Sequence, residues 1–377
     1  MSNVKSTAGQ GKQGRIRALG HVTGLAAFAA TAALLASPSL AQAAPAQPTK
    51  APVSAPPAAA TVSHDNTLTP AVKKLLKGSG AAAERKALTT YWSEARMKAA
   101  KPYAGSATFK HLGTGPKQAP TAAEAKPQGA PVSIAPSKTA TAPRAVTNGS
   151  TAVPQTSYPN YPYYHPVART NGKVFFTRGG ANYVCSGTIV NSEGKSLIWT
   201  AGHCLVDSKV WNSNTVFVPS YKNGSRPYGT WTARTLTTTS AWYYNRDFRQ
   251  DNGAATVYRN FGYRIADYLG AQGLTWNQTP NFYTYAFGYP QGYPYNGQNL
   301  TLAAGSTYNA GNGTIYMWSG MTGGSSGGAW YRNFNGNWGS VNGHNDFIYT
   351  SSPNWMYSPY YGNQAANLYN TVRYQTS

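Results

Sequence analysis

From Tyr161 onward the chain is a succession of short strand-like runs broken by turn residues, and that rhythm admits few folds. The runs include Lys173–Thr177, Ser186–Asn191, Ser196–Thr200, Thr215–Pro219 and Gly229–Leu236. They continue with Ala254–Tyr258, Phe282–Phe287, Thr314–Trp318, Gly328–Tyr331 and Trp338–Asn342. Arg178-Gly179-Gly180-Ala181 and Asn333-Phe334-Asn335-Gly336-Asn337 read as hairpin turns. Helical spacing appears at the end, in Asn363–Tyr374, where Ala365, Leu368, Tyr369 and Val372 share a face. Many short strands and one terminal helix predict an all-β barrel or sandwich.

The chain before Tyr161 is different in kind. Lys5, Lys12, Arg15 and Arg17 precede the apolar run Val22–Ala36, and Ala41-Gln42-Ala43 fits a small-x-small cleavage site. Residues 1–43 therefore read as a secretory signal peptide, too short in its apolar part for a membrane span. Residues 44–160 are rich in Ala, Pro, Thr and Lys, a composition that buries too little surface to offset the entropy of ordering. Leu68–Tyr103 is the exception, with Leu75, Leu76, Leu88, Tyr91 and Trp92 as apolar anchors for helical structure. This region reads as a largely disordered pro-region or linker, with Arg144-Ala145 one candidate cut. Residues 161–377 form the working domain. Of the formal charge of +22, residues 1–159 carry +14, spread among Ala, Pro and Thr rather than in dense blocks. That distribution argues for solubility or weak adhesion and against nucleic-acid recognition.

Two cysteines, Cys185 and Cys204, both fall in the working domain. In an exported protein they are expected to form one disulfide. Closing a loop of about 20 residues, it would stabilise by roughly 3 kcal/mol.

Met321-Thr322-Gly323-Gly324-Ser325-Ser326-Gly327-Gly328-Ala329-Trp330 is the stretch with the clearest chemistry. A nucleophilic serine must project from a tight turn whose N–H groups converge on a developing oxyanion, and glycines allow that approach. Ser326 is the preferred nucleophile over Ser325. Leu197-Ile198-Trp199-Thr200-Ala201-Gly202-His203-Cys204 places His203, a base that works near neutral pH, just after an apolar run. Between them lie the acids Asp207, Asp247, Asp251 and Asp267. Asp247 and Asp251 both precede the small-apolar run Gly253-Ala254-Ala255-Thr256-Val257.

The order His, Asp, Ser, together with Thr200-Ala201-Gly202-His203-Cys204 and Gly324-Ser325-Ser326-Gly327-Gly328, resembles the chymotrypsin-like serine peptidases. The likeness is to secreted bacterial members, including the glutamyl-endopeptidase-like branch, over roughly residues 170–375. It implies two antiparallel six-stranded β-barrels with the active site between them. It implies a triad of His203, Asp251 and Ser326, with Asp251 favoured over Asp247 because the family's acid directly precedes the small-apolar strand. It places the oxyanion hole at the N–H groups of Gly324 and Ser326, and it implies the same Cys185–Cys204 pairing. Ser325 stands where trypsin-type members carry an Asp that pairs with a freed N-terminus, so removal of a blocking pro-segment is the expected activation.

The substrate pocket is expected around Met321, Thr322, Asn342 and His344. Thr314–Ser325 contains no acid, which disfavours cleavage after Arg or Lys; a Glu preference is the alternative, through Thr322 and His344. The expected function is secreted endopeptidase action on protein or peptide substrates by a monomer, without metal or cofactor. The competing reading is a secreted binding protein that kept the fold and lost activity, with 28 Tyr and 10 Trp supplying adhesive surface. An α/β-hydrolase needs an acid and then a His after the serine, but only Asp346 follows Ser326 and no His follows Asp346. A metallopeptidase helix of H-E-x-x-H type is absent from the sequence.

Overall fold

A computed structural model describes residues 60–103, 127–138, 155–157 and 161–376. The signal-peptide stretch and Arg144-Ala145 lie outside the described residues. The first half of the working domain is a closed barrel of six strands: β1 (Asn171–Arg178), β2 (Ala181–Val190), β3 (Leu197–Ala201), β4 (Ser213–Pro219), β5 (Trp231–Thr239) and β6 (Asn252–Val257). β1 and β2 pair from Asn171↔Thr188 to Arg178↔Ala181. Gly179 and Gly180 both take positive φ, 54° and 81°, as a two-residue hairpin turn matching strand twist requires. Pairing of β5 with β6, from Ala233↔Val257 to Thr238↔Gly253, closes the ring and leaves it no free edge there. Val174, Phe176, Ile189, Ile198, Trp231 and Leu236 fill the interior.

Every residue of β3 and β6 is buried, on both faces. One face looks into the barrel. The other is covered in part by the C-terminal helix Asn363–Val372, whose Ala365, Leu368, Tyr369 and Val372 share a core with Trp199 and Ala254. Those four positions follow the i, i+3, i+4, i+7 pattern legible in the sequence.

The second half is one extended sheet built from β7 (Gly273–Trp276), β8 (Tyr283–Gly288), β9 (Thr301–Asn309), β10 (Thr314–Trp318), β11 (Ala329–Arg332), β12 (Ser340–His344), β13 (Phe347–Tyr349) and β14 (Ser352–Pro359). Its order runs β13-β14-β10-β9-β8-β11-β12-β7, ending on the strand Val132–Ile134. The β7–β12 pair is parallel, and the pairings do not return to β13. The described fold is thus all-β with one closed barrel and a second sheet. No helix among the described residues is long and apolar enough to cross a membrane.

Part of the region before Tyr161 is ordered, including the stretch Leu68–Tyr103 in which helical structure is expected. Residues 60–103 are folded onto the barrel. Thr61–Asp65 adds an antiparallel strand to β5, from Thr61↔Thr239 to Asp65↔Thr235. Helices Ala81–Tyr91 and Glu94–Ala99 follow. Lys101–Pro102 then pairs, in parallel, with Tyr183–Val184 of β2. The physical reason lies in a few large side chains. Leu88, Trp92 and Met97 are fully buried in one core with Phe175, Val216 and Tyr221 of the working domain. Trp92 also donates its indole N–H to Asn214 O at 2.8 Å. Each such burial contributes about 1.5–3 kcal/mol, so a segment poor in apolar residues orders on a neighbour that supplies the rest of its core.

Candidate active site

His203 sits in the one-turn 3-10 segment Gly202–Cys204 that ends β3. A disulfide joins Cys204 to Cys185 on β2, with Cα atoms 6.0 Å apart, and so pins that turn to the neighbouring strand. Asp251 directly precedes β6, whose partner is β3, with Asn252 opposite Ala201. Strand pairing therefore brings the acid to the histidine. Asp251 Oδ1 accepts from the His203 backbone N–H at 2.8 Å, and Oδ2 is 2.7 Å from the ring Nδ1. Both side chains are fully buried. Asp247 is elsewhere: its oxygens cap the following turn and pair with Arg249. Asp207 accepts from Tyr103 and pairs with Arg246, while Asp267 pairs with Arg264 at the surface.

Burial opposes charge on His203, but the Asp251 carboxylate, with Asp346 adding to it, outweighs burial and raises the imidazole to about 10. Its other ring nitrogen, Nε2, is buried with no hydrogen-bond partner.

Ser326 lies in the turn between β10 and β11. Its carbonyl accepts from Ser186 N–H at 2.7 Å and stands 3.6 Å from Cys204 Sγ. The seryl backbone is thereby clamped against the disulfide, one residue from His203. Gly327 makes this fit possible. Its φ is +79°, and a Cβ there would stand 2.0 Å from Thr200 Oγ1 and 2.6 Å from Ser186 O. Ser325 spends its hydroxyl on Thr322 O at 2.9 Å, inside the loop. The N–H groups of Ser325, Gly327 and Gly328 are bound to carbonyls of Thr322, Asn345 and Ser325. Those of Gly324 and Ser326 make no such backbone bond among the described residues.

The four residues expected in the pocket have the following places. Thr322 is half-buried and donates to Gly292 O at 2.8 Å. Met321 is buried with Met317, Trp330 and Met356. The Asn342 amide donates to Thr275 O and accepts from Arg332 Nε. His344 is buried with Nδ1 2.7 Å from the Tyr361 hydroxyl, and burial lowers it to about 4. Met321, Asn342 and His344 are all buried, and His344 Nε2 has no hydrogen-bond partner among the described residues.

One residue at the site was missed by sequence reasoning. Asp346, buried just beyond β12, puts Oδ1 3.4 Å from His203 Nδ1. No spacing rule connects it to His203 more than a hundred residues away. Among the described residues, two clusters have the proximity needed for a metal: Cys185, His203 and Cys204, and His203, Asp251 and Asp346. In the first the sulfurs are bonded to each other. In the second the ring Nδ1 is already held by Asp251.

The stretch Ala100–Tyr103 lies beside this site. Ala100 O accepts from Gln291 Nε2 at 2.7 Å, and Gln291 N–H in turn binds Gly323 O. Pro102 packs 3.4 Å from where a Cβ on Gly323 would lie. Tyr103 N–H donates to Val184 O, and the Tyr103 ring lies 6.4 Å from the His203 ring, nearly parallel to it. Trp242 flanks the imidazole at 6.1 Å. In this arrangement His203 is 0% and Ser326 2% exposed.

A histidine bound to a buried carboxylate and stitched to a seryl turn is how serine peptidases are built. Comparison with solved structures carries that class further. The protease Anisep from Arthrobacter nicotinovorans superposes with a TM-score of 0.54 and 36% identity, over 59% of this chain and 100% of its own. A thermostable serine protease, AL20, from an extremophilic microorganism gives 0.53 and 37%, over 55% of this chain and 98% of its own. The chain belongs to the chymotrypsin-like serine proteases. No protein-family model and no curated protein sequence matches it.

Proposed function

We propose that the protein is a secreted serine endopeptidase, made as a precursor whose leader closes the active site. The observation that carries this reading is the 2.7 Å contact of His203 Nδ1 with Asp251 Oδ2, beside the clamped Ser326 turn. In the trimmed enzyme His203 Nε2 takes the Ser326 proton as Oγ attacks the scissile carbonyl, then returns it to the leaving amine. Asp251 holds the ring in the tautomer with hydrogen on Nδ1 and stabilises the imidazolium. The Gly324 and Ser326 N–H groups receive the oxyanion; losing one such donor costs about 3–4 kcal/mol. An acyl-enzyme on Ser326 is then hydrolysed by the reverse sequence.

The remaining features fit this reading. The two-barrel architecture of the family would have the second sheet carry Ser326 opposite the His203 barrel. A signal peptide over 1–43 and a disulfide suit an extracellular enzyme acting as a monomer on proteins or peptides. The absence of an acid from Thr314–Ser325 argues against cleavage after Arg or Lys. The contact of His344 Nδ1 with Tyr361 leaves Nε2 unpaired, so a Glu preference would draw on both Thr322 and His344.

Labelling by a fluorophosphonate tests the proposal. Leader-trimmed protein should label at Ser326, and Ser326→Ala should abolish the label. Intact precursor should label far more slowly. Trimmed, folded protein that does not label would instead support a catalytically inactive binding protein.

A further inference from the structure

A second carboxyl group stands at the histidine, and the mechanism above leaves it without a role. Asp346 Oδ1 is 3.4 Å from His203 Nδ1, against 2.7 Å for Asp251 Oδ2. A ring nitrogen and one oxygen from each acid all lie within 4.8 Å of one another. Asp346 is 1% exposed, and neither of its oxygens makes a hydrogen bond of ordinary geometry. No Lys or Arg among the described residues forms an ion pair with it. The titratable groups facing it are His203 and Asp251 from the barrel, His344 on the strand before it, and Tyr361 ahead of the C-terminal helix.

Two ionised carboxylates against one buried imidazole would seal a net negative charge away from water, which is strongly unfavourable. One proton held between the two acids removes that charge. The backbone fixes Asp346 in place for this. Asp346 N–H binds Tyr357 O at 3.0 Å, and the preceding Asn345 exchanges backbone bonds with Gly327 and Gly328. The acid is therefore anchored one residue from Asn345, whose backbone holds the seryl turn.

We propose that Asp346, as a neutral acid, is a positioning residue whose O–H donates to the Asp251 carboxylate and fixes it against His203 Nδ1. The inference rests on the triad reading. Burial, and after it the Asp251 charge, hold the Asp346 carboxyl well above the usual carboxylate range. Asp251 then has three donors: the His203 backbone, the His203 ring and Asp346. On the alkaline side the shared proton is lost, the two carboxylates repel, and the ring loses its alignment.

The experiment compares wild type, Asp346→Ala and Asp346→Asn, each expressed as the full chain, trimmed, and normalised by fluorophosphonate titration so that only folded, reactive molecules count. Asp346→Ala should lower kcat roughly 10- to 100-fold with KM nearly unchanged. Asp346→Asn keeps an N–H donor toward Asp251 and should stay within about threefold of wild type. Wild type should lose kcat/KM at alkaline pH, while Asp346→Asn, with no proton to give up, should hold its plateau. Should Asp346→Ala misfold, the pH profile of Asp346→Asn against wild type still decides. Equal kcat in Asp346→Ala, or the same alkaline limb in Asp346→Asn, overturns the inference. Failure of wild type itself to label would sink the triad reading instead.

Discussion

The Tyr103 hydroxyl donates to Asp207 Oδ2 at 2.9 Å, which anchors the leader in the barrel one ring's breadth from His203. In the proposed precursor the leader would thereby be fastened where it lies against the histidine. A hydrogen bond to a charged group contributes about 1.5–3 kcal/mol. Tyr103→Phe in the intact precursor should therefore loosen the cover by roughly 10- to 100-fold. The rate of fluorophosphonate labelling before any trimming checks this. An unchanged rate would mean that the strand pairing of Lys101–Pro102, rather than Tyr103, keeps the site shut.

Asp251 and Asp247 are separated by three residues, but only Asp251 reaches the imidazole. Asp251→Asn should lower kcat on the order of 10⁴-fold by favouring the wrong ring tautomer. Asp247→Asn should leave kcat within a few-fold, because its partner is the exposed Arg249. Steady-state kinetics on the two trimmed variants separates the assignments.

Gly327→Ala has nowhere to put its methyl group, which would meet Thr200 Oγ1 at 2.0 Å on a backbone with φ of +79°. Strain and overpacking of this kind cost about 3 kcal/mol or more. The variant should melt at lower denaturant, and any folded fraction should label poorly because Ser326 shifts with its neighbour. Denaturant unfolding and labelling, read together, test both consequences.

Lys173 is fully buried, its ammonium bound to Gly297 O at 2.8 Å with the Tyr221 ring 4.9 Å away. Burial pushes it down to about 7. Above that value the folded chain holds the neutral amine while the unfolded chain, near 10.4, still binds the proton. Stability attributable to this site therefore rises with pH from about 7 to about 10 and is lowest at or below 7. Lys173→Met should stabilise the precursor by roughly 2–4 kcal/mol at pH 6, with the difference shrinking by pH 10. Unfolding curves at the two pH values check it, and a pH-independent difference would refute it.

The short runs bounded by turn residues were legible because β1, β2, β4 and β10 are rich in β-branched and aromatic residues, and because Gly179-Gly180 marks its hairpin plainly. β9 was not, because Ala303-Ala304-Gly305-Ser306 has weak strand preference and is held by pairing with β8, and at Ala303-Ala304 also with Gln155–Ser157. β14 was hidden by Pro353 and Pro359, which sit at its ends. The histidine and serine turns stood out because their chemistry demands local patterns. Asp346 did not, since its relation to His203 exists only once strands distant in sequence meet. The leader's fold was obscured for a similar reason: Trp92 and Met97 find their core in another part of the chain.

Strand β5 carries the leader strand Thr61–Asp65 along Thr235–Thr239. Excision of the leader, as proposed, would strip hydrogen-bonding partners from that row of threonines and empty the slot that Trp92 fills. The finished enzyme would thus hold its shape without part of the mould in which it was cast. Such a protein, once denatured, should recover activity poorly alone and better when residues 44–160 are supplied as a separate chain; equal recovery in both cases would show that the mould is dispensable.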